Sequence, residues 1–383
     1  MNTFVKVIIV LVFIALVGAG VLGFLYRFSE RSDEIKVKKT GPSQNYNDQG
    51  PVPTPSNSPT PTPDDVVIKV PTQKLLSNNY HIFQTFNNCG PASLSMALSY
   101  YGLNVSQKTI GDSLRPYQNP AGDNDDKSVT LYELAEKSKE YDLIPYYRPN
   151  GTVEMIEKFI TIDIPVITRT WLKADDDIGH YRVVKGYNQN TDKLIQDDSL
   201  QGKNLEYSYN DFNDVWDKFN YEFLVLIPKE KELEAKKILG NLIDEKTAWE
   251  QTVNTAHEYL SKNPNDINMR FNLSVAYYNS DNIVESIKQF EKIENELPQR
   301  TLWYQIEPIL AYYKSGDYKS VIRLSDRVLN DENMAFSELH YLKSLTYSKI
   351  GEDALSRESN SKVEIYNRNF DRDSFVKIYK ISK

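Results

Sequence analysis

A chain of 383 residues with 40% apolar and 12% aromatic side chains is long enough for two or three packed domains and too apolar for a disordered polymer. Its formal charge of -8, with no clustered positive stretch, argues against nucleic acid as a partner. One cysteine excludes an internal disulfide, and the absence of any C-x-x-C pair excludes the usual zinc and dithiol redox arrangements.

The N-terminal segment 1–27 contains "VIIVLVFIALVGAGVLGFLY", twenty residues without a charge, which as a helix spans a hydrocarbon core of ~30 Å. The apolar run continues past "VGAG" through Leu22, Phe24 and Leu25, which favours an uncleaved transmembrane anchor over a signal peptide. Lys6 precedes it, while Arg27, Arg31, Lys36, Lys38 and Lys39 follow, a count that by itself favours a cytoplasmic C-terminal side. The linker at 28–65 points the other way: its "GPVPTPSNSPTPTPDD" is a Pro/Ser/Thr stalk that holds a domain off a membrane surface. On that ground we expect a single-pass cell-membrane protein whose globular domains are extracytoplasmic.

From 66 to 228 the composition is that of a globular domain. "PASLSMALSYYG" places Leu94, Ala97, Leu98 and Tyr101 at helical spacing with Gly102 as a stop, so Cys89 sits at a helix N-terminus. "TLYELAEKSKEYDL" and "TVEMIEKFI" read as further amphipathic helices, followed by strands at "IPVITRTWL", "GHYRVVKGYN", "KLIQDD" and "YEFLVLIP". Short polar turns between those strands leave no room for crossover helices, which predicts a largely antiparallel sheet in an α+β domain, helices first and strands after.

A thiol at a helix N-terminus faces unsatisfied backbone N–H groups and the positive end of the helix dipole, both of which favour thiolate. The bland reading of a lone cysteine is a small buried residue. Thiol catalysis also needs a base, a group that orients the base and oxyanion donors. His180 begins a strand behind a glycine and is the candidate base. Asp198 ends the next strand, with Asp197 directed to the opposite face by strand alternation. Gln84 lies five residues before Cys89 and offers a side-chain amide donor beside the Cys89 N–H. The other histidines read as bland: His257 opens "HEYLS", where Ser261 replaces the second histidine of H-E-x-x-H, His340 is helical and His81 lies in a loop. "DNDD" near 123 and the aspartates at 175–177 lack calcium-loop spacing and read as solvated surface charge. Trp171 and Trp216 read as core rather than as a peptide groove.

"QTFNNCGPASLSMALSYYG", "GHYRVVKGYN" and "DDSLQGKNLEYSYNDFNDVW" resemble the three signature blocks of the peptidase C39-like group of papain-like cysteine peptidases, over roughly residues 75 to 228. The resemblance implies a papain-like fold with Cys89 as nucleophile, His180 as general base and acid, Asp198 as the orienting residue and Gln84 as oxyanion donor. It also implies a peptide or protein substrate and no metal or organic cofactor. Relatives commonly have Asp-Pro where this chain has Asp198-Ser199, which leaves Asp197 as an alternative to Asp198. The chain lacks the G-x-x-x-x-G-K-[ST] motif of the exporter-fused relatives. A silent peptide-binding scaffold, and a thiol acyltransferase or amidase acting on cell-wall peptides, are the competing readings.

Beyond Pro228 the chain reads as all-helical. At a period of 35, "NLSVAYYNSDN", "EPILAYYKSGD" and "YLKSLTYSKIGE" align, with Tyr277, Tyr312 and Tyr347 in register and Asp281, Gly316 and Gly351 at the turns. This spacing resembles tetratricopeptide repeats, with three matching units in 229–383 and a less clear helical pair at 233–265. Such a region implies either a concave surface for a substrate or protein partner or a structural extension packed against the peptidase. The expected architecture is an α+β papain-like peptidase domain and an all-α TPR-like repeat domain behind one transmembrane helix, of bacterial type.

Overall fold

The computed structural model describes residues 68–117, 128–330 and 333–382. The apolar run at 7–26, the linker at 28–65 and the acidic stretch at 123–126 lie outside the described residues. Among the described residues, no helix is long and apolar enough to cross a membrane.

Seven strands form one antiparallel sheet. In chain order the elements are β1 (Gln73–Leu75), α1 (Cys89–Ser99), α2 (Gln107–Leu114), α3 (Leu131–Ser138), β2 (Ile144–Arg148), α4 (Val153–Thr161), β3 (Val166–Trp171), β4 (Gly179–Asn188), β5 (Lys193–Asp198), β6 (Gly202–Ser208), α5 (Tyr209–Trp216) and β7 (Phe223–Ile227). The spatial order is β2-β7-β3-β4-β5-β6, with β1 pairing against β4. Strand alternation sorts the sheet's apolar side chains into two layers. Ile167, Tyr181, Val183, Leu224 and Leu226 pack with Leu94, Ala97 and Leu98 of α1 and Leu134 of α3. Val166, Val184, Val225 and Ile227 pack with Phe159 of α4 and Phe212 and Trp216 of α5.

Helices therefore cover both faces, and β2 interrupts the run of helices, where the sequence reading put helices first and strands after. Three strands escape the pattern: the short β1, and β2 and β6 at the two ends of the sheet order. In β2, Pro145 lies on a strand bonded on one side only, where a missing N–H is tolerated. In β6 the side chains are mostly polar, and Glu206 pairs with Lys193 of β5 across the ladder.

Local signals set the helix starts. Ser106, Thr130, Thr152 and Ser208 each accept a backbone N–H from the first turn of α2, α3, α4 and α5, and Thr130 with Glu133 forms a reciprocal capping box. From Lys229 onward the ordered structure is helical: α6 (Glu232–Leu239), α7 (Glu245–Lys262), α8 (Ile267–Asn279), α9 (Ile283–Glu291), α10 (Thr301–Tyr304), α11 (Glu307–Ser315), α12 (Tyr318–Asn330), α13 (Ser337–Lys349), α14 (Asp353–Tyr366) and α15 (Arg372–Ile378). The pairs α8–α9, α11–α12 and α13–α14 are hairpins whose turns hold Asp281, Gly316 and Gly351 at positive φ. α6 does not join this stack, because Ala235, Ile238 and Leu239 pack into the layer of Phe159 and Trp216.

Gly151 precedes α4 with no space for a side chain: a Cβ there would lie 2.7 Å from both the Phe223 and the Trp216 rings. Gly151→Ala should therefore cost about 1–3 kcal/mol through overpacking. The check is a lower denaturant midpoint at unchanged slope.

Candidate active site

The elbow before α1 is built to present Cys89. Asn88 occupies the N-cap position without capping; its side chain instead donates to Thr85 Oγ1 at 2.6 Å and accepts from Arg115 at 3.0 Å. Gly111 of α2 makes room for it, since a Cβ there would lie 2.8 Å from Asn88 Oδ1. Cys89, 8% exposed, thus begins α1 at the end of the helix where backbone N–H groups lack intrahelical acceptors.

His180, at the start of β4, hydrogen-bonds the Asp198 side chain, and the Cys89 thiol lies close enough to act on its ring. Its Nε2–H donates to Asp198 Oδ1 at 2.9 Å, which leaves Nδ1 for the thiol. The same oxygen accepts the backbone N–H groups of Leu200 and Gln201 at 2.7 and 2.8 Å, and Oδ2 lies 3.2 Å from Arg182 Nε. The approach of Arg182 is an ion pair but too oblique for a hydrogen bond. The β4–β5 register sets Arg182 against Asp198 and Val183 against Asp197. Alternation then directs the two carboxylates to opposite faces, and Asp197 pairs with Lys185 at 2.7 Å instead.

Gln84 lies in the elbow, tied twice to the residue after Asp198. Its backbone N–H donates to the Ser199 carbonyl, and its Oε1 accepts the Ser199 hydroxyl, both at 2.8 Å. The amide's NH₂ end is the end left to donate elsewhere. His81, read as bland, has a structural task here: its Nε2–H donates to the Asp198 carbonyl at 2.9 Å. Of the other histidines, His257 bonds the Tyr277 hydroxyl at 2.5 Å, and His340 is buried by Tyr366, with burial pushing its pKa down to about 4.

A cavity of about 260 Å³ opens beside Cys89. Phe86, Ile178 and Gly179 line it from the sheet side. Arg300, Trp303, Tyr304 and Asn333 line it from the helical region, a contribution that the repeat pattern alone does not reveal. Tyr304 lies against Gly179, where a Cβ would come within 2.9 Å of its ring. One expectation changes accordingly. Asp177 is not solvated surface charge, since Arg300 pairs with it at 2.6 Å across to the helical region. Trp216 is core, as read, while Trp171 is only partly buried and does not line this cavity, whose tryptophan is Trp303. A larger cavity of about 350 Å³, between α3 and α15, holds neither cysteine nor histidine. Among the described residues, no group of three or more His, Cys, Asp or Glu side chains is arranged to hold a metal.

Burial works against a charged imidazole at His180, but the hydrogen bond to Asp198 and the nearby Cys89 thiol outweigh it and hold its pKa above the ordinary 6.5. Burial likewise opposes ionised Asp198, yet the His180 hydrogen bond, the nearby charges and the Gln201 N–H bring its pKa below the ordinary 3.8. A raised histidine contributes stability that is complete below its unfolded pKa and is lost as pH rises through the folded value. A lowered aspartate contributes stability that is complete above its unfolded pKa and is lost as pH falls through the folded value. The pair's contribution should therefore be fullest between about pH 4 and pH 6.5. Asp198→Asn should flatten both limbs of that profile and lower the His180 titration followed by NMR. An unmoved His180 titration would mean that the carboxylate does not hold the imidazolium.

Residues 67–223 match the Peptidase_C39 like family. No curated protein matches the chain. Among solved structures, it is similar to a protein from Bacillus anthracis described as a C39-like peptidase, with 17% identity over 41% of this chain and 98% of that one, at a TM-score of 0.35. It is also similar to the peptidase domain of Streptococcus ComA, a bi-functional ABC transporter involved in quorum sensing, with 20% identity over 39% of this chain and 97% of that one, at a TM-score of 0.31. Likeness at that level carries no chemistry from those proteins to this one. The family match thus covers the sheet-bearing part of the chain, residues 67–223, and the region that follows is helical.

Proposed function

We propose that the chain is a cysteine peptidase acting through Cys89, His180 and Asp198. The observation that supports this reading is an imidazole hydrogen-bonded to a buried carboxylate and close enough to the thiol to be acted on by it, with Cys89 at the wall of a cavity. The Cys89 thiolate attacks the carbonyl carbon of a peptide bond, forming C–S and moving the carbonyl electron pair onto oxygen. The Gln84 amide and the Cys89 N–H stabilise that oxyanion. As the tetrahedral intermediate collapses, the C–N bond breaks and the His180 imidazolium protonates the leaving amine. Neutral His180 then takes a proton from water, whose oxygen attacks the thioester; the C–S bond breaks and the thiolate returns. Asp198 holds the ring in place and stabilises its positive form.

The helical region, on this reading, is part of substrate binding, supported by the side chains it places around Cys89. The uncharged run at 7–26 and the stalk behind it support a membrane-anchored enzyme facing outward. External protease should then degrade the C-terminal region in intact cells. Protection until the cells are lysed would reverse the orientation.

For the chemistry, Cys89→Ala and His180→Ala should each lower kcat/KM by about 10³-fold or more, and the double variant should be little worse than either. Alkylation of Cys89 at pH 6 should slow at least about tenfold in His180→Ala, since a thiol without such a partner is almost wholly protonated there. Equal alkylation rates in both proteins, with no peptide cleaved, would leave a binding scaffold. Incorporation of an added amine into product in preference to water would make it a transferase.

A further inference from the structure

Buried polar groups in folded proteins almost always have partners, and an unpaired one costs about 1–3 kcal/mol. Two side chains around the Cys89 cavity depart from that rule. Asn333, between α12 and α13, is 1% exposed, and neither its Oδ1 nor its Nδ2 has a partner. Trp303, in α10, is 3% exposed, and its Nε1–H has none either. Of the neighbouring polar groups, Arg300 is engaged, paired with Asp177. The buried, unpaired hydrogen-bonding capacity that the helical region brings to this cavity is therefore one amide, with a donor and an acceptor side by side, and one indole donor.

That combination matches a polypeptide backbone, which presents N–H and C=O groups in alternation and no charge. We propose that Asn333, assisted by Trp303, is a substrate-binding residue supplied by the helical region, its carboxamide pairing with a backbone amide of the peptide held beside Cys89. This rests on the peptidase reading. It gives the helical region a defined role, which is to complete the cleft by recognising the main chain of the substrate rather than a particular side chain. The three open groups find partners when the peptide enters, so their pairing favours the bound state. Because the groups recognised occur in every peptide, Asn333 adds affinity for extended backbone, and selectivity among side chains comes from the walls around it, including Phe86, Ile178 and Tyr304.

The test compares two reagents on the full chain. Tripeptidyl chloromethyl ketones with small, apolar, acidic or basic side chains alkylate the thiol, displacing chloride, and need the cleft; iodoacetamide alkylates the same thiol, displacing iodide, without filling it. Asn333→Ala should slow the fastest peptidyl reagent about tenfold or more relative to iodoacetamide, whose rate should stay within about twofold. In the unsubstituted chain, N-methylation of one backbone nitrogen of that reagent should bring a similar loss, and the loss should disappear in Asn333→Ala. Asn333→Asp has the same shape and keeps an acceptor, so it should retain the N-methyl effect even if the alanine variant folds poorly. An N-methyl effect independent of residue 333, or the absence of any, would overturn the proposal and leave the peptidase reading standing. If no peptidyl reagent labels Cys89 faster than chloroacetone does, the peptidase reading falls and this proposal falls with it.

Discussion

A carboxylate removed entirely from water is stable only if its partners replace the hydration it has lost, and Asp198, with no exposed surface, imposes that demand on its surroundings. Three donors meet at Oδ1, and Arg182, also fully buried, faces Oδ2. Arg182 in turn donates to Thr170 Oγ1 and to the Trp171 and Leu172 carbonyls at 2.8 and 2.7 Å, which fixes the end of β3. The carbonyl of Asp198 holds His81, and the next residue holds Gln84. One buried charge thus ties β3, β4, β5 and the elbow before α1 into a single arrangement. The positions of thiol, imidazole and amide follow from satisfying it.

A second buried network fixes the helical region against the cleft. Arg169 on β3 pairs with Glu222 at 3.4 Å, stacks over Phe219 at 4.5 Å and donates to the Tyr304 carbonyl at 2.7 Å. Tyr147 donates to the other oxygen of Glu222 at 3.0 Å. Glu307 lies close enough for Glu222 and Arg169 to act on it, and burial, reinforced by the Glu222 charge, pushes its pKa up to about 7. Two acidic groups near one guanidinium tolerate each other best with one proton between them. Through Arg169 the sheet that carries His180 also sets the position of Tyr304 and, with it, of the wall facing Cys89. Helical repeats are stacked because single hairpins cannot bury their own apolar faces. Here one short helix between repeats, α10, does the further work of closing a cleft.

The parts of this molecule legible in the sequence are those with a local signature. β4 and β5 coincide with "GHYRVVKGYN" and "KLIQDD", because β-branched and aromatic residues bounded by turn residues leave few other conformations. The 35-residue register locates the three hairpin turns, since only a few residue types tolerate the positive φ that those turns require. The separation of Asp197 from Asp198 follows from strand alternation alone, and the β4–β5 register agrees with it. What escapes is what depends on partners distant in sequence. β2 and β6 are strands because one neighbour bonds to them, which no alternation within "IPYYR" or "GKNLEYS" announces. His81, Asp177, Trp303 and Asn333 look ordinary in their own segments. Each acquires its place through a contact with another part of the chain, and a cavity wall drawn from residues 86 and 303 has no local sequence signal.

Ser199 shows how a departure from a family pattern can be absorbed locally. A proline after the aspartate would still provide the carbonyl that accepts the Gln84 N–H, but it has no hydroxyl. With serine, a second hydrogen bond reaches Gln84 Oε1, so the amide is held by its oxygen and its NH₂ end is the one left to donate. The same hydroxyl that tethers the elbow to the end of β5 thus holds Gln84 by its Oε1. The buried Asp198 and the elbow before α1 are joined through one residue, whose carbonyl accepts the Gln84 N–H and whose hydroxyl donates to its Oε1.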